Sequence, residues 1–90
     1  MNKDRRAQIA KISEAIGSLT GQIEDLRSEA ESAQSDEQEY YDNMPEGFQN
    51  SERGERASAA ADALREAVDA LDEAFAALET AVAAIEIASE

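Results

Sequence analysis

Apolar residues recur through the first half of the chain at Ile9, Ile12, Ile16, Leu19, Ile23, Leu26, Ala30 and Ala33, with spacings of four and three in unbroken alternation. In an α-helix that alternation lays the side chains along one stripe, and its seven-residue repeat is the seam of a coiled coil. The same phase runs on through Glu37 and Tyr40, so the pattern predicts a first helix from about residue 4 to about residue 40, roughly 55 Å long at 1.5 Å per residue. Its apolar strength fades toward Tyr40.

The second half repeats the pattern with Ala57, Ala61, Leu64, Val68, Leu71, Phe75, Leu78, Val82 and Ile85. This predicts a second helix from about residue 51 to about residue 88. One position before these seam residues runs a second register of small side chains: Ala60, Ala63, Ala67, Ala70, Ala74, Ala77, Ala81 and Ala84. The second helix therefore has two packable faces.

Between the helices, about residues 41 to 50, the pattern breaks at YDNMPEGFQN. Pro45 biases Met44 away from helical geometry and so closes the first helix before it. Asn43 followed by Glu46 fits a capping box for a short helical turn through Phe48, and Asn50 or Ser51 then caps the second helix. The expected fold class is all-α: an antiparallel two-helix coiled-coil hairpin forming a single domain over residues 1–90.

Two registers bring large seam residues into layers, with paired numbers summing to about 94 or about 87. The first sets Ile9 by Ile85, Ile16 by Leu78, Ile23 by Leu71 and Tyr40 against Gly54, where a missing side chain leaves room for a ring. Fold-back also brings the basic start, Lys3, Arg5, Arg6 and Lys11, beside Glu79, Glu86 and Glu90. Such exposed pairs favour an orientation more than they stabilise it.

At 90 residues the chain is short for a self-sufficient core, and a hairpin buries only one stripe per helix. The alanine stripe, Ala60 to Ala81, supplies a surface another helix can approach closely. Two hairpins are accordingly expected to pair as a homodimer into a four-helix bundle.

Composition narrows the function classes. With no cysteine and no histidine, the chain has no disulfide, thiolate or imidazole chemistry, and no nucleophile, base and orienting group recur together as an enzyme would need. The carboxylates lack the alternating oxygen ligands, glycine and closing glutamate of a calcium loop, so neither a metal nor a cofactor is expected. The net charge of -13 disfavours direct contact with nucleic acid and with anionic membrane surfaces. A protein partner is expected instead, its surface basic, or a second copy of this chain. No apolar run reaches the length of a membrane span, and the chain reads as cytoplasmic.

Two surfaces are candidates for that partner. The hairpin tip carries Tyr40, Tyr41, Met44, Phe48, Arg53 and Arg56, the residue types of a protein-binding hot spot. Tyr40 and Phe48 read as plugs for the end of the bundle, with Tyr41 and Met44 more exposed. The second candidate is a dense acidic run including Glu29, Glu31, Asp36, Glu37, Glu39 and Asp42, a solvated face or an imitation of phosphate charge. Gly17 and Gly21 form a GxxxG spacing that reads as a tolerated weak point or a close helix crossing rather than a ligand site.

The basic start MNKDRRAQI, the stretch YDNMPEGFQNSERGE and the following alternation of Ala, Leu, Glu and Asp resemble a family of short acidic, helical hypothetical proteins from bacteriophages and bacterial genomes. Tyr41, Asp42, Asn43, Pro45, Glu46, Gln49, Ser51 and Gly54 match its pattern. The resemblance implies a setting, the bacterial host cytoplasm, and not a mechanism. The function expected is a non-enzymatic protein-binding module, a phage-encoded modulator or inhibitor acting by steric or electrostatic blocking. A structural or assembly scaffold and an acidic nucleic-acid mimic directed at a DNA-binding defence protein are the alternatives.

Overall fold

A computed structural model describes residues 2–90. It contains three helices, α1 (Lys3–Asp42), α2 (Glu46–Gln49) and α3 (Glu52–Ala88), and is 91% helical with no strand among the described residues. α1 and α3 pack lengthwise as a hairpin measuring 68 × 15 × 14 Å.

The ends of the helices follow from local chemistry. Asn2 caps α1, its Oδ1 accepting from the Arg5 amide at 2.8 Å. α1 ends where the Asn43 N–H donates back to the Glu39 carbonyl at 2.9 Å, one residue before Met44 is turned aside by Pro45. Ser51 caps α3 by accepting from the Gly54 amide at 3.3 Å, while its hydroxyl donates to the Phe48 carbonyl. Glu52 and Glu55 in the first turn of α3 suit the positive end of its dipole. The expected capping box is not formed: Pro45 occupies the cap of α2 with no side-chain bond, and Asn43 closes α1 instead.

The α3 seam is as its spacing predicts. Ala57, Ala61 and Val68 are buried, and Leu64, Leu71, Phe75, Leu78, Val82 and Ile85 are half-buried against α1. Ile23 with Leu71 and Glu37 with Ala57 line shared clefts, which agrees with the register summing to about 94.

α1 is turned relative to expectation. Ile9, Ile16, Ile23 and Ala30 are half-buried as predicted, but Ile12, Leu19 and Leu26 are 44%, 48% and 52% exposed, and Ala33 and Tyr40 are exposed as well. The row one residue later, Ser13, Thr20, Arg27, Gln34 and Tyr41, is half-buried in their place. Two polar ties lie on that side. Arg27 Nε donates to Asp72 Oδ1 of α3 at 2.8 Å, and Gln49 Nε2 donates to the Tyr41 carbonyl at 3.1 Å. The hydrogen bond to Asp72 and the nearby Glu31 carboxylate raise the Arg27 pKa further above its already high ordinary value. Arg27 to Asp72 is the one ion pair joining the helices among the described residues, and none links Lys3, Arg5, Arg6 or Lys11 to Glu79, Glu86 or Glu90.

Gly54 has a different role from the one expected. A Cβ there would collide with the carbonyl oxygens of Phe48 and Gln49, so the missing side chain admits the backbone of α2 and not the ring of Tyr40. Gly17 and Gly21 have no neighbour within 4 Å of where a Cβ would stand. Substitution should separate the two kinds of glycine. Gly54→Ala is expected to destabilise by about 1–3 kcal/mol through overpacking, whereas Gly17→Ala and Gly21→Ala each stabilise by up to ~1 kcal/mol. Denaturant unfolding followed by far-UV circular dichroism measures both.

The half-buried Gln34 side chain carries an Nε2 with no hydrogen-bond partner among the described residues. Gln34→Leu removes that unpaired donor and is expected to stabilise by about 1 kcal/mol. An unchanged or lower unfolding midpoint refutes it.

Candidate protein-binding tip

The bend brings most of the predicted tip residues together. Tyr40, from the last turn of α1, Met44 and Pro45 from the connection, Phe48 from α2 and Arg53 from α3 line one concavity of about 370 Å³. Tyr40 and Arg53 also line an adjoining groove of about 450 Å³ with Glu37, Glu52, Arg56 and Ala57. The two hollows share a wall, and both are open to solvent.

Local folding positions these side chains. The Pro45 carbonyl accepts from the amides of Phe48 at 2.8 Å and Gln49 at 3.1 Å, which fixes the single turn of α2. That turn is seated on Gly54 and tied back to α1 through Gln49 and the Tyr41 carbonyl. Phe48 consequently points outward and is 61% exposed. Arg56 is ion-paired with Glu52 along α3, both well exposed.

The two tyrosines exchange the parts assigned to them. Tyr40 stands 47% exposed at the rim, while Tyr41 is half-buried beside the tie to Gln49. Phe48 plugs nothing, and Met44 is half-buried. The reason is the rotation of α1, which carries the row of Tyr41 toward the partner helix and the row of Tyr40 away from it.

The acidic residues do not form one face. At about 100° per residue, Glu29 and Asp36 share one line along α1, Glu31 and Asp42 share a second on the opposite side, and Glu39 lies on a third. Glu37 is half-buried and turned to the α3 side, in the groove with Arg53 and Arg56. Glu31 is paired with Arg27. The carboxylates thus encircle the distal part of α1 as a collar. Among the described residues no three acidic groups converge as a metal site would require, and no helix is long and apolar enough to cross a membrane.

The alanine stripe divides by exposure. Ala60, Ala74 and Ala81 are half-buried at the edge of the seam, and Ala63, Ala67, Ala70 and Ala77 are exposed. The row Ile12, Leu19 and Leu26 was assigned to the seam and is a surface instead. Its periodicity is the same in either role, so spacing alone does not distinguish them. Glu52, which lines one of the tip hollows, follows from the bend geometry and carried no separate signal in the pattern.

No family model, curated protein or solved structure matches the chain.

Because Phe48 contributes exposed area and little packing, Phe48→Ala is expected to change stability by less than about 0.5 kcal/mol. Gln49→Ala, which cuts the tie to Tyr41, is expected to cost about 1 kcal/mol. Thermal unfolding of the two variants side by side distinguishes a displayed residue from a structural one.

Proposed function

We propose that this protein is a non-enzymatic protein-binding module that makes its contact through the hairpin tip and works as a homodimer of hairpins. The observation that carries the reading is the exposure of Tyr40 and Phe48 around a hollow shared with Met44, Pro45 and Arg53. Aromatic and arginine side chains are the usual anchors of protein interfaces, the aromatic ones because they bury large areas at low cost in conformational entropy and arginine because its planar fork hydrogen-bonds and stacks. Open hollows of this kind suit an inserted side chain of a partner more than an enclosed substrate.

The resemblance of YDNMPEGFQNSERGE to proteins of bacteriophages and bacterial genomes supports a phage-encoded modulator or inhibitor of a host protein, acting in the bacterial cytoplasm by blocking. The partner surface that best complements this chain is basic, given the collar of carboxylates next to the tip. A scaffold role is the second reading and draws on the 68 Å rod. The nucleic-acid mimic is the weakest, because carboxylates dispersed around a helix do not reproduce a line of phosphates.

Capture from bacterial lysate at low and high salt tests the tip. The expected result is a protein retained at high salt by the wild type and lost with Phe48→Ala and Tyr40→Ala. Capture that vanishes with salt and ignores both substitutions supports the mimic instead. Absence of capture, together with incorporation into assembled particles, supports the scaffold.

A further inference from the structure

One face of the hairpin is apolar and uncovered. The groove lined by Tyr40, Arg53, Arg56 and Ala60 places the row of Tyr40 on α1 and the row of Ala60 on α3 along the same side. Followed along the helices in steps of seven, those rows carry Ile12, Leu19 and Leu26 from α1 and Ala67, Ala74 and Ala81 from α3, and the neighbouring row of Arg56, which lines the same groove, carries Ala63, Ala70, Ala77 and Ala84. The outer edge beside Ile12 and Leu19 carries the uncharged Gln8, Ala15 and Gln22, and turns acidic toward the tip at Glu29 and Asp36. The cleft on the other side of the seam carries Glu24, Arg27 and Asp72. In a chain that is 32% charged, rows without a charge from Ile12 to Leu26 on α1 and from Ala60 to Ala84 on α3 make a packing surface.

Area indicates the kind of occupant. The chain exposes 6510 Å², against about 5,100 Å² for a compact protein of its mass. The excess comes from the 68 × 15 × 14 Å rod shape, and lengthwise pairing with a second copy is the arrangement that reduces it.

From the face and its steric pattern we infer that a second copy packs on this surface with its tip at the same end, so that the dimer displays two tips side by side. The inference rests on the homodimer reading above and specifies its face and orientation. With the tips together, α1 of each copy lies antiparallel on α3 of the other. At the level set by the hairpin's own register, Ile12 then meets Ala81, Leu19 meets Ala74 and Leu26 meets Ala67, large side chains on small ones throughout. Asp36 of one copy comes level with Arg56 of the other, an opposite-charge pair at the tip end. With the tips at opposite ends, α1 lies on α1 and α3 on α3. That stacks large residues on large and alanine on alanine, and the helix separations become unequal.

The consequence is a bivalent binding end. Two copies of the Tyr40, Phe48 and Arg53 surface stand about one helix diameter or two apart, which fits a twofold-symmetric protein partner or one with a repeated site, and gains from a high effective concentration of the second contact.

Two matched substitutions and one distance test this. Ala70 and Ala76 are both exposed mid-helix alanines of α3, but only Ala70 lies on the apolar face. Ala70→Glu is expected to weaken the dimer by roughly a hundredfold or more in sedimentation equilibrium, and Ala76→Glu, with the same change in charge and helix propensity, is expected to leave it intact. Equal effects of the two assign the interface elsewhere. Because the chain has no cysteine, Glu46→Cys gives a single spin-label site at the tip. An inter-label distance on the order of 20 to 30 Å, two neighbouring helix diameters, is expected. A distance near the 68 Å rod length overturns the orientation while leaving a dimer in place. A wild-type monomer at high micromolar concentration overturns the dimer itself, and leaves the tip reading to its own capture experiment.

Discussion

The close approach of the helices at the bend is the constraint on which the rest of the molecule depends. Gly54, Ala57 and Ala61 are small, buried and consecutive along the α3 seam, so there α3 comes close to both α1 and the backbone of α2. Away from the bend the seam is made of larger side chains that are only half-buried. The hairpin is therefore closed at one end by steric fit and held along its length by a narrow apolar strip. The ion pair between the helices, Arg27 to Asp72, is partly exposed on both sides, and pairs of that kind contribute little to stability.

That closure sets the character of the tip. Once α2 is seated on Gly54, its one turn has nowhere to bury Phe48, and the tie from Gln49 draws Tyr41 inward and leaves Tyr40 at the rim. Display of aromatic side chains is thus a by-product of fitting a bend between two long helices, and it supplies the surface on which the proposed contact rests. The structural residues, Gly54 and Gln49, lie next to the displayed ones, Tyr40 and Phe48.

The same geometry separates the two long faces. Rotation of α1 toward Ser13, Thr20 and Arg27 places polar groups on one side of the seam and leaves the Ile12, Leu19 and Leu26 row on the other. In a lone hairpin α3 is the one long helix that packs on α1, so with α1 rolled this way one of its two apolar rows remains at the surface. With Ala57, Ala61 and Val68 as the buried apolar side chains among the described residues, the chain is close to the limit of what a single seam can stabilise.

Helix extent, the bend at Pro45 and the α3 seam were legible in the sequence, because each follows from local propensity or from a periodicity that tertiary contacts merely use; the cap of α3 was narrowed to Asn50 or Ser51 and the register to two sums, about 94 and about 87, and the structure chose between them. The rotation of α1 was not legible. Rows one residue apart share the same seven-residue repeat, and which of them faces α3 depends on contacts such as Arg27 with Asp72 that have no sequence signature. The same holds for Gly54, whose missing Cβ could have admitted a ring or a backbone, and for the exchange of Tyr40 and Tyr41. Sequence determined that two helices close on each other and where the chain turns; only the tertiary structure decided how far each is rolled about its axis, since rolling a helix by one row changes what it exposes without changing its pattern.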